Sequence, residues 1–208
     1  MKITKPLDNI LNTEAKTKIL RFLCTTGAEW NGSQIAREIG VTPAASLSSL
    51  NELSKEGIVM MNNVGNARVY KLNDDNFAVS DLLKPLFYEE DKVLSKIINI
   101  IKRSLATSRL RSKIVSVALF GSVQVRKDDA ASDIDLAVVI SDTQAKTKVE
   151  NLFEDIDKKV SKKFGNTITP YINTKSELKV KHKKRLDVIK NILNSYTLIY
   201  GERLERIL

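Results

Sequence analysis

Two acidic residues near the middle of the chain have the spacing of a metal site. Asp133 and Asp135 lie two positions apart at the start of an apolar run, Ile134–Ile140. Because alternate residues of a β-strand point to the same face, the two carboxylates project together while Ile134 points away. Paired carboxylates attract a hard divalent cation such as Mg²⁺ or Mn²⁺, which prefers oxygen ligands. The spacing therefore predicts a metal site at these two residues.

A phosphate-binding turn is predicted just upstream. Gly121 and Ser122 directly follow a second apolar run, Val115–Phe120. A glycine after a strand lets backbone N–H groups approach a phosphate closely, and the serine adds a hydroxyl donor. Phosphates held at this turn and bridged by metal to the two aspartates would form a nucleotide site. For either aspartate taken alone, the competing interpretation is a solvated strand end.

The combined spacing resembles a known signature. Gly121-Ser122, ten intervening residues and Asp133-Ile134-Asp135 are similar to the motif of the nucleotidyltransferase superfamily that includes DNA polymerase β and the minimal nucleotidyltransferases. This resemblance, over roughly residues 115–172, implies Mg²⁺- or Mn²⁺-dependent transfer of a nucleotide, with AMP from ATP as the expected donor reaction. It implies catalytic and metal-binding roles for Asp133 and Asp135. It also implies nucleotide binding by Gly121, Ser122, Ser132 and Arg126.

Two departures from the family pattern keep two functions open. Active members carry a third carboxylate on the strand that corresponds to Thr167–Ile172, which here reads Thr-Ile-Thr-Pro-Tyr-Ile, and Val125 stands where relatives often have arginine. One interpretation is an enzyme whose acceptor is activated by water, by the substrate or by Glu177, a residue expected at the surface. The other is a DNA-binding regulator whose degenerate transferase domain binds nucleotide or mediates assembly.

The N-terminal part has a different organisation. Apolar spacing and capping residues predict three helices, and a hairpin follows at Ile58–Asn62 and Ala67–Leu72 with its turn at residues 63–66. The helices are predicted at Thr13–Thr25, Ser33–Ile39 and Pro43–Lys55, with Thr13, Ser33 and Thr42 as candidate caps. This order resembles the winged helix-turn-helix domain of bacterial and archaeal regulators. The resemblance implies binding of double-stranded DNA, with the third helix in the major groove.

The third helix and the wing supply the candidate DNA contacts. We expect Leu47, Leu50 and Leu53 to pack inward. The polar candidates for DNA contact are Ser46, Ser48, Ser49 and Asn51 on the helix and Arg68 on the wing. Because the helix has no Arg or Lys before Lys55, readout of guanine is not expected. The competing interpretation is a module used only for dimerisation or protein contact.

The rest of the chain completes an α+β fold with a short mixed sheet backed by helices. Polar residues 73–80 predict a boundary, giving a winged helix-turn-helix domain at 1–80, a linker helix at 81–112 and a nucleotidyltransferase-like domain at 113–208. The elements predicted after the first domain are a long helical stretch, Asp81–Arg111, a helix at Thr143–Phe164, a strand at Thr167–Ile172 and a last helix at Lys183–Tyr200.

Composition limits the class of protein and its partners. The net charge is +9, yet residues 1–80 carry nine Lys and Arg against eight Asp and Glu, whereas residues 158–190 carry eleven against two. The basic excess therefore indicates either a polyanion-binding surface or solvated helix faces in the second part. With one cysteine, Cys24, one histidine, His182, and no run near the roughly 20 apolar residues of a membrane span, we expect a cytoplasmic protein without membrane contact.

Two expectations about partners follow from the resemblances. Winged-helix regulators commonly pair across two half-sites, so a homodimer is expected. The minimal nucleotidyltransferases imply a protein or small-molecule acceptor. One form of this is an antitoxin that modifies a partner toxin and represses its own operon.

Overall fold

The structure, a computed structural model, describes residues 2–125 and 132–208 and is an α+β fold. The chain divides into two compact units, one extending to Val93 and the other beginning at Leu94. Each unit has its own sheet. No helix in the described ranges is both long and apolar enough to cross a membrane.

The N-terminal unit is a winged helix-turn-helix, as the sequence predicts. Four helices, the first of them a single turn, precede a β-hairpin, and a short strand between the second and third helices completes a three-stranded antiparallel sheet of order β1-β3-β2. Its elements are α1 (Leu7–Ile10), α2 (Glu14–Thr26), β1 (Trp30–Asn31), α3 (Gly32–Ile39), α4 (Pro43–Lys55), β2 (Val59–Val64), β3 (Ala67–Leu72), a π-helical segment (Ala78–Leu83) and α5 (Lys84–Asp91).

Capping side chains set the ends of these helices. Thr13 accepts a hydrogen bond from the Lys16 N–H at the start of α2, and Thr42 accepts one from Ala45 at the start of α4. The prediction that Ser33 caps α3 is wrong. Asn31 caps it instead, because its side chain accepts from the Gln34 N–H while the Gln34 side chain accepts from the Asn31 N–H.

The C-terminal unit contains a mixed four-stranded sheet of order β6-β5-β4-β7, with β5 and β6 parallel and the other pairs antiparallel. Its elements are α6 (Val93–Thr107, whose first residue lies at the unit boundary), a 3₁₀ turn (Arg111–Lys113), β4 (Ile114–Phe120), α7 (Gly121–Gln124), β5 (Ile134–Ile140), a second 3₁₀ turn (Thr143–Ala145), α8 (Lys146–Phe164), β6 (Ile168–Thr174), α9 (Lys175–Lys183), α10 (Asp187–Asn194), β7 (Thr197–Gly201) and α11 (Leu204–Ile207).

Helices cover both faces of this sheet. Ile134, Leu136 and Val138 of β5 pack on the same side as buried residues of α6 and α8. Ala137 and Val139 pack on the other side with α9, α10 and α11. This alternation fixes the face to which every other residue of β5 points.

Two predicted elements differ from the structure. The stretch Asp81–Arg111 is mostly helical, as predicted, but it is divided into the π-helical segment, α5 and α6, with Lys92 ending α5. The predicted helix Lys183–Tyr200 is instead the end of α9, then α10 and strand β7. Its apolar spacing is helical through Leu193, but the β-branched and aromatic residues Thr197–Tyr200 pair with β4 and complete the sheet.

Lys16 is a buried cation that fixes helix positions in the N-terminal unit. Its side chain is 4% exposed, and its ammonium donates to the Asn9 carbonyl at 2.8 Å and to Asn12 Oδ1 at 2.9 Å. It also lies 2.7 Å from Glu52 Oε2 on α4, and this lowers the pKa of the Glu52 carboxyl. Through these three acceptors, Lys16 connects the chain before α2 to helix α4.

We expect Lys16→Met to lower the free energy of unfolding of this unit by about 2 kcal/mol, because three acceptors lose the buried donor that joins them. Urea unfolding of the full chain, followed by the fluorescence of Trp30, the only tryptophan, measures this unit. Lys18→Met is the matched control, since Lys18 forms a more exposed pair with Glu14 and should change stability by less than about 0.5 kcal/mol. Equal effects of the two substitutions would contradict the structural role of Lys16.

Candidate functional site

The two aspartates lie at the end of the C-terminal sheet where β4 ends and β5 and β6 begin. Asp135 pairs with Phe120, the last residue of β4, and with Thr169 near the start of β6. Ile134 and Leu136 pack into the core formed with α6 and α8. Asp135 therefore points to the opposite face, on which Asp133 also meets β6, as the sequence predicts.

Gly121 and Asp135 are in direct contact. Gly121 has φ +80, a conformation that favours glycine, and a Cβ built on it would overlap Asp135 Oδ2 and lie 3.1 Å from Asp135 Cγ. The carboxylate thus occupies the space that a side chain at position 121 would fill. This contact brings the Gly-Ser turn and the second aspartate together without any intervening residue.

Two threonines hold the first aspartate. The Thr167 hydroxyl donates to Asp133 Oδ1, and the Thr169 hydroxyl donates to Asp133 Oδ2 at 3.3 Å. Both threonines belong to the β6 region, where the family pattern has its third carboxylate. The sequence shows that no acid stands there, but the hydrogen bonds to Asp133 were not predicted. The threonine spacing at positions 167 and 169, which places both on one strand face, was the available signal.

The electrostatics of this pair fit a bound cation. Burial, and to a lesser degree the charge of Asp133, raise the pKa of the Asp135 carboxyl above its usual range. A divalent ion would relieve this repulsion, and carboxylate oxygens are suitable ligands for Mg²⁺. Within residues 2–125 and 132–208 no group of three or more His, Cys, Asp or Glu side chains could hold a metal. The two aspartates would therefore depend on substrate or water oxygens to complete the coordination.

The remaining predicted residues have mixed outcomes. Ser122 lies in α7, directly after the glycine, and Ser132 precedes Asp133 at partial burial. Arg126 lies outside the described residues. Glu177 does not approach the aspartates, because it caps α9 at the far end of β6: its carboxylate accepts from the Thr174 N–H at 2.7 Å, and this bond lowers the pKa of Glu177. A role for Glu177 in activating the acceptor is therefore wrong.

Two further contacts lie near the aspartates. The Ser195 hydroxyl donates to Gln124 Oε1 at 2.8 Å, and this hydrogen bond connects the end of α10 to the helical turn that begins at Gly121. Lys181 of α9 donates to the Tyr171 hydroxyl at 3.0 Å and lies 4.7 Å from the centre of the Tyr171 ring. Because Tyr171 is two residues beyond Thr169, Lys181 brings a partly buried cation to this face of the sheet.

A groove of about 660 Å³ lies on the other face and is unrelated to the aspartates. It runs between α8 and the outer edge of β6 and is lined by Phe153, Ile168 and Ile172 among others. These β6 residues alternate with Thr169 and Tyr171, so the groove opens on the side away from Asp133 and Asp135.

In the N-terminal unit, part of the predicted DNA-contact set is buried. Ser46 is 0% exposed and donates to the Gly32 carbonyl at 3.1 Å, and Ser49 is 7% exposed, so neither can face a duplex. The inward position predicted for Leu47 is also wrong, since this side chain is 44% exposed. Ser48, Asn51 and Arg68 are exposed, as a DNA contact requires.

Leu47 and Arg68 line an open groove of about 540 Å³ between the start of α4, the start of α3 and the wing. Tyr70 also lines it, and the buried Tyr70 hydroxyl has no hydrogen-bond partner among the described residues. A buried hydroxyl left unpaired costs about 1–3 kcal/mol.

Comparison with solved structures finds partial likenesses, which cover 41–52% of this chain. A fragment of a Mycobacterium bovis protein described as a possible transcriptional regulatory protein is 20% identical with a TM-score of 0.34, covering 41% of this chain and 88% of the fragment. The homodimeric winged helix-turn-helix DNA-binding domain of a possible ArsR-family transcriptional regulator from Mycobacterium bovis is 20% identical with a TM-score of 0.36, covering 44% and 81%. A crystal structure of a toxin-antitoxin with AMP-PNP is 19% identical with a TM-score of 0.34, covering 52% and 76%.

No curated protein sequence matches the chain. A family profile does: the family described as Polymerase beta, Nucleotidyltransferase matches residues 95–204, which is 110 of the 208 residues. The matched segment contains the Gly121 turn, both aspartates and the sheet that brings them together. The chain therefore belongs to the polymerase β nucleotidyltransferase family.

Proposed function

We propose that this protein is a metal-dependent nucleotidyltransferase that transfers AMP from ATP to a hydroxyl of a protein or small molecule and binds double-stranded DNA through its winged helix. The contact between Gly121 and the Asp135 carboxylate carries the first half of the proposal. It supports a site in which triphosphate oxygens reach the turn and the carboxylates at the same time.

Each residue of the site has a distinct task in this proposal. Gly121 and Ser122 bind the terminal phosphates, because no side chain caps α7 and glycine allows close approach to its backbone. Asp133, oriented by two threonine hydroxyls, and Asp135 would hold Mg²⁺ or Mn²⁺, which would supply positive charge for the triphosphate and for the attacking and leaving oxygens. The acceptor oxygen forms a bond to the α-phosphorus, the bond to pyrophosphate breaks, and the hydroxyl proton passes to water or to the substrate.

A second candidate function has its own support. Asp133 accepts hydrogen bonds from Thr167 and Thr169, in the region of β6 where the family pattern has its third carboxylate. This favours a regulator whose transferase domain binds nucleotide without transferring it. In either function, the winged helix would contact an operator. Because such domains commonly pair across two half-sites, the protein would bind as a homodimer. An antitoxin that modifies a partner toxin and represses its own operon combines the two activities, with transfer to the toxin and binding to the DNA.

Gly121→Ala should abolish nucleotide binding, because the added methyl group displaces the Asp135 carboxylate as well as straining the backbone. Gly165→Ala is the matched control. Gly165 has φ +82, so it carries the same backbone strain, but a Cβ there meets nothing within 4 Å. Calorimetric titration with ATP and Mg²⁺ measures both variants. Equal losses in the two variants would show that the contact with Asp135 does not matter for binding.

Asp135→Asn should abolish transfer of label from ATP labelled at the α-phosphate, since the site loses a metal ligand. The same variant without metal should be at least as heat-stable as wild type at neutral pH. The raised pKa means that ionisation of Asp135 costs stability as pH rises, so this gain should disappear below about pH 3.9, where the carboxyl is protonated in both states.

Asp142→Asn is the control for this substitution, because Asp142 lies beyond the far end of β5 and pairs with Lys113 at 3.0 Å. Added Mg²⁺ and ATP should raise the unfolding temperature of wild type and Asp142→Asn but not of Asp135→Asn. Nucleotide binding by wild type without transfer to any tested acceptor would favour the regulator. Failure of wild type to bind nucleotide would refute both functions proposed for the transferase domain.

Arg68→Ala should weaken binding to a duplex from the protein's own promoter. It should also reduce the slope of log affinity against log salt concentration by about one, because one counter-ion fewer is released. Arg68 is exposed on the wing and forms no ion pair within the described residues. Lys71→Ala on the same strand is the control, since the Lys71 charge is already offset by Glu29 at 3.4 Å. Anisotropy titrations at several salt concentrations measure these affinities. Equal affinities of Arg68→Ala and wild type at every salt concentration would refute the proposal.

A further inference from the structure

The outward surface of α4 is nearly devoid of charge where a major groove would meet it. The exposed residues of its first three turns are Pro43, Ala44, Ala45, Leu47, Ser48, Asn51 and Glu52. Glu52 pairs with Lys16 and lies at the margin of this surface. At the centre are methyl groups, one hydroxyl and one carboxamide, and the first cation is Lys55 in the last turn.

From this surface we propose that the winged helix recognises A·T base pairs through thymine methyl groups. The inference rests on the proposed DNA binding and deepens it by naming the base pairs that are read. Leu47 and the two alanines present apolar groups that match the thymine C5-methyl group, which lies in the major groove. The Asn51 carboxamide matches adenine, because its Oδ1 can accept a hydrogen bond from the adenine N6 amino group while its Nδ2–H donates to N7. Guanine prefers Arg or Lys, which this part of the helix lacks.

The position of Leu47 supports the proposal independently. A leucine that is 44% exposed at the first turns of a helix contributes little to its own core, and Leu50 and Leu53 already fill the inward positions. Leu47 instead lines the groove that Arg68 also lines. An apolar contact and a cation that can bind phosphate oxygens therefore line the same groove, as contact with base edges and backbone together requires.

The charge of the unit makes this short-range recognition necessary. Residues 1–93 carry eleven Lys and Arg against twelve Asp and Glu. Long-range attraction to phosphates is therefore weak in this unit, and affinity depends on contacts made within the groove.

The test compares three duplexes of equal length and charge, built from alternating A·T, A·U or G·C pairs, in anisotropy titrations with the full chain. Uracil keeps every hydrogen-bonding group of thymine and lacks only the methyl group. We expect A·T to bind most tightly and A·U about fourfold more weakly for each contacted methyl group. We expect G·C to bind about tenfold more weakly than A·T or worse.

Variants separate the two contacts. Leu47→Ala should reduce the difference between A·T and A·U, whereas Asn51→Ala should weaken both duplexes and keep their ratio. Phe77→Ala is the control, because Phe77 is 58% exposed and lies outside α4 and the wing. Circular dichroism melts confirm that each variant is folded.

Each outcome has a defined meaning. Equal affinity for A·T and A·U overturns the inference, whether or not G·C binds more weakly, and leaves the proposed DNA binding in place. Equal loss of the A·T preference in Leu47→Ala and Phe77→Ala also overturns it. Failure of wild type to bind any duplex refutes the proposed DNA binding itself, and the inference with it.

Discussion

The candidate nucleotide site depends on the absence of a side chain at Gly121. The Asp135 carboxylate fills the space that a Cβ would take, and Gly121 also has a positive φ directly after β4, so both the contact and the backbone favour glycine. The antiparallel pairing of Phe120 with Asp135 then sets which carboxylate meets the turn. A register shift of one residue would turn Asp135 to the opposite face and place an apolar side chain against the glycine. The contact is therefore a consequence of strand register as much as of residue type.

Charge divides the two units as clearly as their folds do. The unit ending at Val93 has one more acidic than basic residue, whereas residues 94–208 carry twenty-three Lys and Arg against thirteen Asp and Glu. Long-range attraction to a polyanion would therefore come from the C-terminal unit, and in the proposed DNA binding the winged helix would contribute shape and short-range contacts. The basic excess that the sequence shows does not by itself indicate the surface of the winged helix that would contact DNA.

Local signals in the sequence were sufficient for some elements and not for others. Thr42 and Pro43 predict the start of α4 correctly because caps act within one turn. Leu47 was misplaced because the spacing of Leu47, Leu50 and Leu53 fits an apolar ridge, whereas only tertiary packing decides which end of the ridge is covered. Strand β7 was missed for the same reason, since its pairing partner β4 lies about eighty residues away in the chain. The hydrogen bonds from Thr167 and Thr169 to Asp133 require the parallel register of β5 and β6, which α8 separates.

Those threonines also bear on how the site divides binding from catalysis. A carboxylate that accepts hydrogen bonds on both oxygens has fewer lone pairs available to a cation and a smaller effective charge. Asp133 is in this state, whereas Asp135 is held by burial and repulsion in a form that gains from a positive partner. A divalent ion would therefore be held more strongly by Asp135 than by Asp133. In the proposed reaction, binding of a nucleoside triphosphate would depend mainly on Asp135, whereas activation of an acceptor hydroxyl would depend on further oxygen ligands. Nucleotide binding should therefore tolerate the missing third carboxylate better than the rate of transfer does.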